Sequence, residues 1–264
     1  LYSSFQILKN YLRYYWNASN GKGHGVHSPF VFDFIINVLN AKKNQLGFES
    51  IESLRKHLKH NHDSIDVVDF GAGSNGCKSN EKMISDIAKK SLKSPKYARL
   101  LYRVAAHYQS KHILELGTSL GLTTAYLSQS GATSVVSFEG SPAIASLARK
   151  HFSELQLSNI KIIEGNADHT LSDYLSTKPR IDLAFLDANH RAVPTLDYFN
   201  QLLNCAHQDT IFIFDDIHWS EDMELAWKNI QAHDQVTQTI DLFFFGIVLI
   251  KKDFKVRQHF SIRY

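Results

Sequence analysis

Residues 112–140 read HILELGTSLGLTTAYLSQSGATSVVSFEG, and the way this stretch divides decides the fold. Ile113 to Leu116 is a short apolar run of strand type closed by Gly117. After a turn of small residues, Gly121 opens LTTAYLSQS, whose apolar residues recur at helical spacing. A second apolar run, Ser134 to Phe138, stops on Glu139, about twenty residues beyond the glycines. Strand, glycine turn, helix, strand and acid form the nucleoside or phosphate corner of a Rossmann-like unit. Gly117 and Gly121 let the backbone approach a ligand where a Cβ would collide, and Glu139 sits where a carboxylate accepts hydrogen bonds from ribose hydroxyls.

The spacing narrows the ligand. It is G-x-x-x-G, whereas a dinucleotide is seated by G-x-G-x-x-G, which brings the pyrophosphate onto the helix N-terminus. Glu115 puts an acid just before the turn, poorly placed for a diphosphate and well placed for a cation. A nucleoside carrying an amino acid and a sulfonium meets these conditions better than NAD does.

ELGTSLG followed by a strand ending in Glu resembles motif I and its acidic partner in class I S-adenosylmethionine (SAM) dependent methyltransferases. Ahead of it, KYARLLYRVAAHY (Lys96 to Tyr108) is similar to the helix that precedes motif I in the O-methyltransferases of the catechol and caffeoyl-CoA group. The likeness runs from about Ser94 to the end. It implies a methyltransferase domain over 94–264, with residues 1–93 as a helical and loop extension serving as lid or dimer contact. It implies that SAM is held by Glu115, Gly117, Thr118, Ser119, Gly121, Thr123, Glu139 and Gly140, that Asn166, Ala167 and Asp168 frame the adenine, and that Asp187 also borders the cofactor. Asn166 and Asp168 have a plainer reading beside this one, as a turn residue and a helix cap.

Beyond Glu139 strand-like and helix-like segments alternate, which predicts a mostly parallel sheet covered by helices on both faces. The last two runs, around 237–242 and 244–250, are joined too closely for a crossover helix and must pair antiparallel. Seven strands, one of them reversed, is what the resemblance implies.

Ligands in open α/β sheets lie at the carboxyl ends of the strands. The run 181–186 ends in Asp187-Ala-Asn189-His190 and the run 210–214 in Asp215-Asp216-Ile217-His218. Carboxylates converging on one rim are unfavourable unless a cation or protons neutralise them, and hard oxygen donors suit Mg²⁺, Ca²⁺ or Mn²⁺. The resemblance implies a divalent site at Asp187, Asp215 and Asp216, with Asp216 where the family has Asn. His190 stands where those enzymes carry a lysine. With Asp187 it is the candidate catalytic pair, its imidazole taking a proton from an acidified hydroxyl. A surface histidine is the plainer alternative.

The remainder is less directive. FQILKNYLRYYW (5–16) predicts an amphipathic helix packed on the main domain or on a second subunit, which makes a homodimer one expectation. His24 and His27 fall in a glycine-rich loop that reads as a substrate lid over 21–30. Gly71-Ala-Gly-Ser-Asn-Gly76 is a literal G-x-G-x-x-G, but no second strand ending in an acid follows it, so it reads as a glycine loop or hairpin extension. The net charge of +3 is too mild to require a nucleic acid, and Cys77 and Cys205 form no metal or redox spacing, which suits a reducing cytoplasm. No apolar run reaches membrane-spanning length. The leading expectation is O-methylation of a small hydroxylated molecule. Set against it are a tRNA methyltransferase gripping RNA through the basic 78–103 stretch, an NAD-dependent oxidoreductase using Gly71 to Gly76, and a non-catalytic binding domain.

Overall fold

The computed structural model of the chain describes residues 1–23, 27–41, 47–68, 79–254 and 256–264. Two packed units emerge, Lys43–Thr177 and Leu1–Lys42 with Lys178–Tyr264.

In the 43–177 unit, the buried runs ILEL and VVSF become β3 (His112–Leu116) and β4 (Ser134–Glu139), which pair in parallel, and β5 (Ile160–Glu164) extends the ladder from β4. Parallel strands need crossovers, supplied by α6 (Leu122–Ser128) and α7 (Pro142–Glu154), while α8 (Ala167–Ser176) follows β5. Ahead of them lie α3 (Glu49–Lys59), α4 (Ile84–Ser91) and α5 (Pro95–His107). Phe48, Ile51, Leu58, Ile84, Leu120 and Tyr126 belong to one continuous buried core there. β1 (Ser64–Val68) and β2 (Ser79–Met83) pair antiparallel in a separate two-stranded sheet, with Val68 opposite Ser79. A dinucleotide turn leads from a parallel strand into a crossover helix. β1, the last described strand before Gly71, pairs antiparallel with β2, and the Gly71 to Gly76 motif itself lies outside the described residues.

The other unit contains α1 (Ser4–Asn17), α2 (Pro29–Asp33) running into a π-helical turn (Phe34–Leu39), and the C-terminal strands and helices. Ser28 caps α2 and Pro29 opens it, as the sequence predicts. The lid expected over 21–30 falls partly outside the described residues. β6 (Ile181–Leu186), buried along its whole length, pairs in parallel with β7 (Ala206–Asp215), with α9 (Ala192–Leu203) between them. After α10 (Glu221–Ala232), β8 (Gln238–Asp241) and β9 (Phe245–Leu249) pair antiparallel, and β9 also pairs antiparallel with β7, making it the reversed strand.

The strand order is β10-β8-β9-β7-β6 in this unit and β3-β4-β5 in the other, eight strands in all among the described residues besides the β1-β2 pair. The count exceeds the expected seven because β10 (Gln258–Ser261) adds in parallel to β8. Only four residues long, it is too short to stand out by pattern.

Candidate active site

The corner after β3 is fixed by backbone. Gly117 and Thr118 both donate their N–H to the carbonyl of Phe138 at 3.0 Å, tying the turn to the end of β4. Gly121 opens α6 with φ +83°, and a Cβ there would lie 2.6 Å from the Phe152 ring, so packing and backbone both demand glycine. Ser119, at φ +48°, donates its N–H to Glu139 Oε2, and Ser141 donates its N–H to Oε1, each at 2.9 Å. The carboxylate is thereby aimed by two backbone donors. An ionised carboxylate has about four acceptor sites, so this clamp is compatible with receiving two ribose hydroxyls.

The other predicted cofactor residues divide by depth. Glu115 is fully buried, and its Oε2 accepts from the hydroxyls of Thr124 and Ser137. Ser137 in turn meets the buried Thr118 hydroxyl at 2.6 Å. These side chains brace the turn from inside, and Thr123 is also buried. Gly117, Ser119, Glu139 and Gly140 are partly exposed, as are Asn166 and Ala167, while Asp168 is exposed. The cap of α8 is Asn166, not Asp168 as the plainer reading has it: Asn166 Oδ1 accepts from the Asp168 N–H at 3.0 Å, and Asp168 stands inside the first turn with its carboxylate at the helix start.

Two supports of this corner carry no sequence signal. Ser141 Oγ accepts from the Val68 N–H at 3.2 Å, linking the hairpin to the residue that orients Glu139. His151, buried on α7, bonds through Nδ1 to the carbonyl of Leu120 at 3.0 Å; a carbonyl only accepts, so Nδ1 carries the proton. Burial lowers its pKa, and this keeps the ring neutral. Nothing in its spacing along the helix distinguishes it from a core position.

The rim at the ends of β6 and β7 is assembled by side chains. Asp187, His190 and Asp215 each bring a ligand atom within 4.8 Å of the others, and His190 Nε2 stands 3.4 Å from Asp187 Oδ1. Asp215 is 2% exposed, which makes its charge costly without a nearby compensating group. Asn189 (φ +69°) and His190 (φ +44°) turn the chain sharply after β6, and Asp216 (φ +53°) does so after β7. Left-handed backbone at residues other than glycine costs about 1–2 kcal/mol each, and it clusters at functional sites. Asp216 donates its N–H to the carbonyl of Phe244 at 2.7 Å, and among the described residues its carboxylate is not in the cluster. Of the expected ligands Asp187, Asp215 and Asp216, the first two come together, and His190, expected as the base, completes the group.

Further along the same loop, His218 bridges Asp241 Oδ2 (2.8 Å) and Glu224 Oε1 (3.3 Å) and stacks on Phe243. Burial alone would lower its pKa, but the two carboxylates outweigh burial and raise it.

Residues 114–217 match the family described as a methyltransferase domain. No curated protein sequence is similar enough to this chain to match it. Among solved structures, the chain is similar to an O-methyltransferase from Bacillus cereus in complex with SAH (20% identity, 61% of this chain and 83% of that one, TM-score 0.52). It is similar also to an SAH-bound methyltransferase from Podospora anserina (14% identity, 96% and 98%, TM-score 0.58). A third is the O-methyltransferase TomG from Streptomyces achromogenes in complex with SAM (19% identity, 61% and 82%, TM-score 0.51). At these identities the likeness is one of fold.

Proposed function

We propose that this chain is a class I SAM-dependent methyltransferase and that it methylates an oxygen of a small hydroxylated molecule. The observation that carries this reading is the clamp on Glu139: an acid at the end of β4, aimed by the N–H groups of Ser119 and Ser141 beside a glycine turn, suits a ribose diol. Asn166 and Asp168, at the start of α8, offer oxygen acceptors for an adenine amino group. When bound, SAM supplies an electrophilic sulfonium methyl. The protein's part is to hold the nucleoside, exclude water and orient the acceptor, since effective molarity provides most of the acceleration in such a displacement.

His190 takes the acceptor's hydroxyl proton, and Asp187, 3.4 Å away, stabilises the imidazolium that results. The same donors fit a divalent cation, because two carboxylates and an imidazole this close form a mixed oxygen and nitrogen ligand set for Mg²⁺ or Mn²⁺. Bound there, a cation would acidify a coordinated hydroxyl, with His190 acting as ligand in place of base. Titration calorimetry with SAM and with its demethylated product, each with and without Mg²⁺, tests both halves. Micromolar binding of either nucleoside is expected, and absence of binding by both removes the reading. Dependence of turnover on Mg²⁺ decides how His190 is used.

A further inference from the structure

α1 carries apolar residues on two sides. With about 100° of turn per residue, Ile7, Tyr11 and Tyr14 fall on one side, and Phe5, Leu8, Leu12, Tyr15 and Trp16 fall within an arc of about 100° on another. The first side faces its own unit: the Tyr11 ring meets Phe243 edge-on at 5.1 Å, Tyr14 lies 5.3 Å from the same ring, and the Tyr14 hydroxyl donates to the Ile262 carbonyl. Tyr2 N–H on the carbonyl of Trp219 and Arg263 on the carbonyl of Trp16 pin the two ends. A capping box of Ser3 and Gln6 completes the first turn.

The second side is exposed, with the Arg263 guanidinium over one face of the Tyr15 ring at 4.8 Å. Phe5 is 75% exposed, Leu8 54%, Leu12 59%, Tyr15 47% and Trp16 85%. Three aromatic rings and two leucines at those exposures present on the order of 700 Å² in one strip, beyond the roughly 300–600 Å² of the largest apolar patch on a typical monomer.

We propose that this strip is the interface with a second copy of the same chain, related by a two-fold axis. The spacing is the first argument. Residues 5, 8, 12 and 15 alternate steps of three and four, the a and d seam of a helix that packs lengthwise on another helix, with Trp16 beside it. The area is the second: two such strips together bring about 1,400 Å², inside the roughly 1,200–2,000 Å² of a stable, specific interface. A two-fold axis needs one self-complementary patch and no other partner. Anchoring is the third argument, because a helix already fixed by its inner side presents the seam in a set position, which lowers the ordering cost of association. A lipid surface is the less suitable occupant. The polar side of α1 has only Lys9 and Arg13 as cations, beside Gln6, Asn10 and Asn17, whereas helices lying on membranes are rich in Lys and Arg there.

Sedimentation velocity on the full chain at about 20 μM tests this, the chain mass being 30.1 kDa. Wild type is expected at twice the chain mass. The double variant Leu8→Glu/Leu12→Glu is expected at the chain mass with an unchanged far-ultraviolet circular dichroism spectrum, while Val193→Glu, at an exposed apolar position on α9, stays dimeric. Trp16→Ala, a truncation at the outermost ring with little to lose in folding, should raise the dimer dissociation constant about tenfold. A monomeric wild type, or a dimer that survives Leu8→Glu/Leu12→Glu and Trp16→Ala alike, overturns the proposal. So does a monomeric wild type that sediments with vesicles of one-third phosphatidylserine, which would hand the strip to lipid.

Discussion

The glycine corner and the acidic rim both follow a strand with a turn that includes residues at positive φ, yet they hold their carboxylates in different ways. At the corner, Glu139 is oriented by the N–H groups of Ser119 and Ser141, and the turn is braced from below by Thr118, Ser137, Thr124 and Glu115. Backbone donors have no alternative protonation state, so that geometry is set once the strands pair. At the rim, two aspartates and a histidine face one another within 4.8 Å, and their balance depends on protons or a cation. A rigid corner suits recognition of a constant cofactor. A charge-balanced rim suits chemistry, where a proton must move.

The comparison breaks most visibly at His190. His190→Ala is expected to lower turnover about 10²- to 10⁴-fold while the dissociation constant of SAM changes less than about twofold. Steady-state kinetics beside calorimetry checks this, and a parallel loss of both would make His190 a structural residue. At the corner the reverse pattern is expected. Gly121→Ala, which drives a Cβ into Phe152 at positive φ, should cost about 2–4 kcal/mol of stability, read as a lower urea midpoint at unchanged slope. Glu139→Gln keeps the shape but turns an NH₂ group toward a backbone donor. SAM affinity should fall about 10- to 100-fold with the fold intact, and unchanged affinity would detach Glu139 from the cofactor.

The smallest effect sharpens the contrast between neutral and charged supports. His218 has a folded-state pKa raised by Asp241 and Glu224, so its stabilising contribution is complete below the unfolded value near 6.5 and is lost as pH rises through the raised folded value. His151 runs the other way. Its pKa is lowered by burial, so the corner it supports is stable above the unfolded value and weakens as pH falls below it. Melting temperatures of wild type and His218→Gln should therefore differ below pH 6.5 and converge in alkali.

Much of the corner was legible because its parts are neighbours in sequence: a strand of five residues, a turn, a helix and an acid, all within 112–140. Spacing alone placed Gly117, Gly121 and Glu139. It did not separate Glu139, at the surface of the corner, from Glu115, buried beneath it, because alternation along a fully buried strand gives no outward face to read. At the rim, Asp187 and Asp215 were marked by their positions at strand ends. Asp216 was the expected third ligand and His190 the expected base; that His190 comes within 4.8 Å of both aspartates depends on how the two loops fold, which spacing does not encode.

By itself the sequence determined the alternation of strands and helices, the glycine turn with its acid, the antiparallel pairing of the runs around 237–242 and 244–250, and an amphipathic N-terminal helix. Those features are local, and hydrophobic period and glycine placement encode them directly. Tertiary structure decided that β10 pairs with β8, that His151 pins the turn from a distant helix, that His190 closes on two aspartates, and that the seam of α1 faces outward. Each of these depends on which surfaces meet after folding, and a linear pattern specifies the surfaces but not their partners.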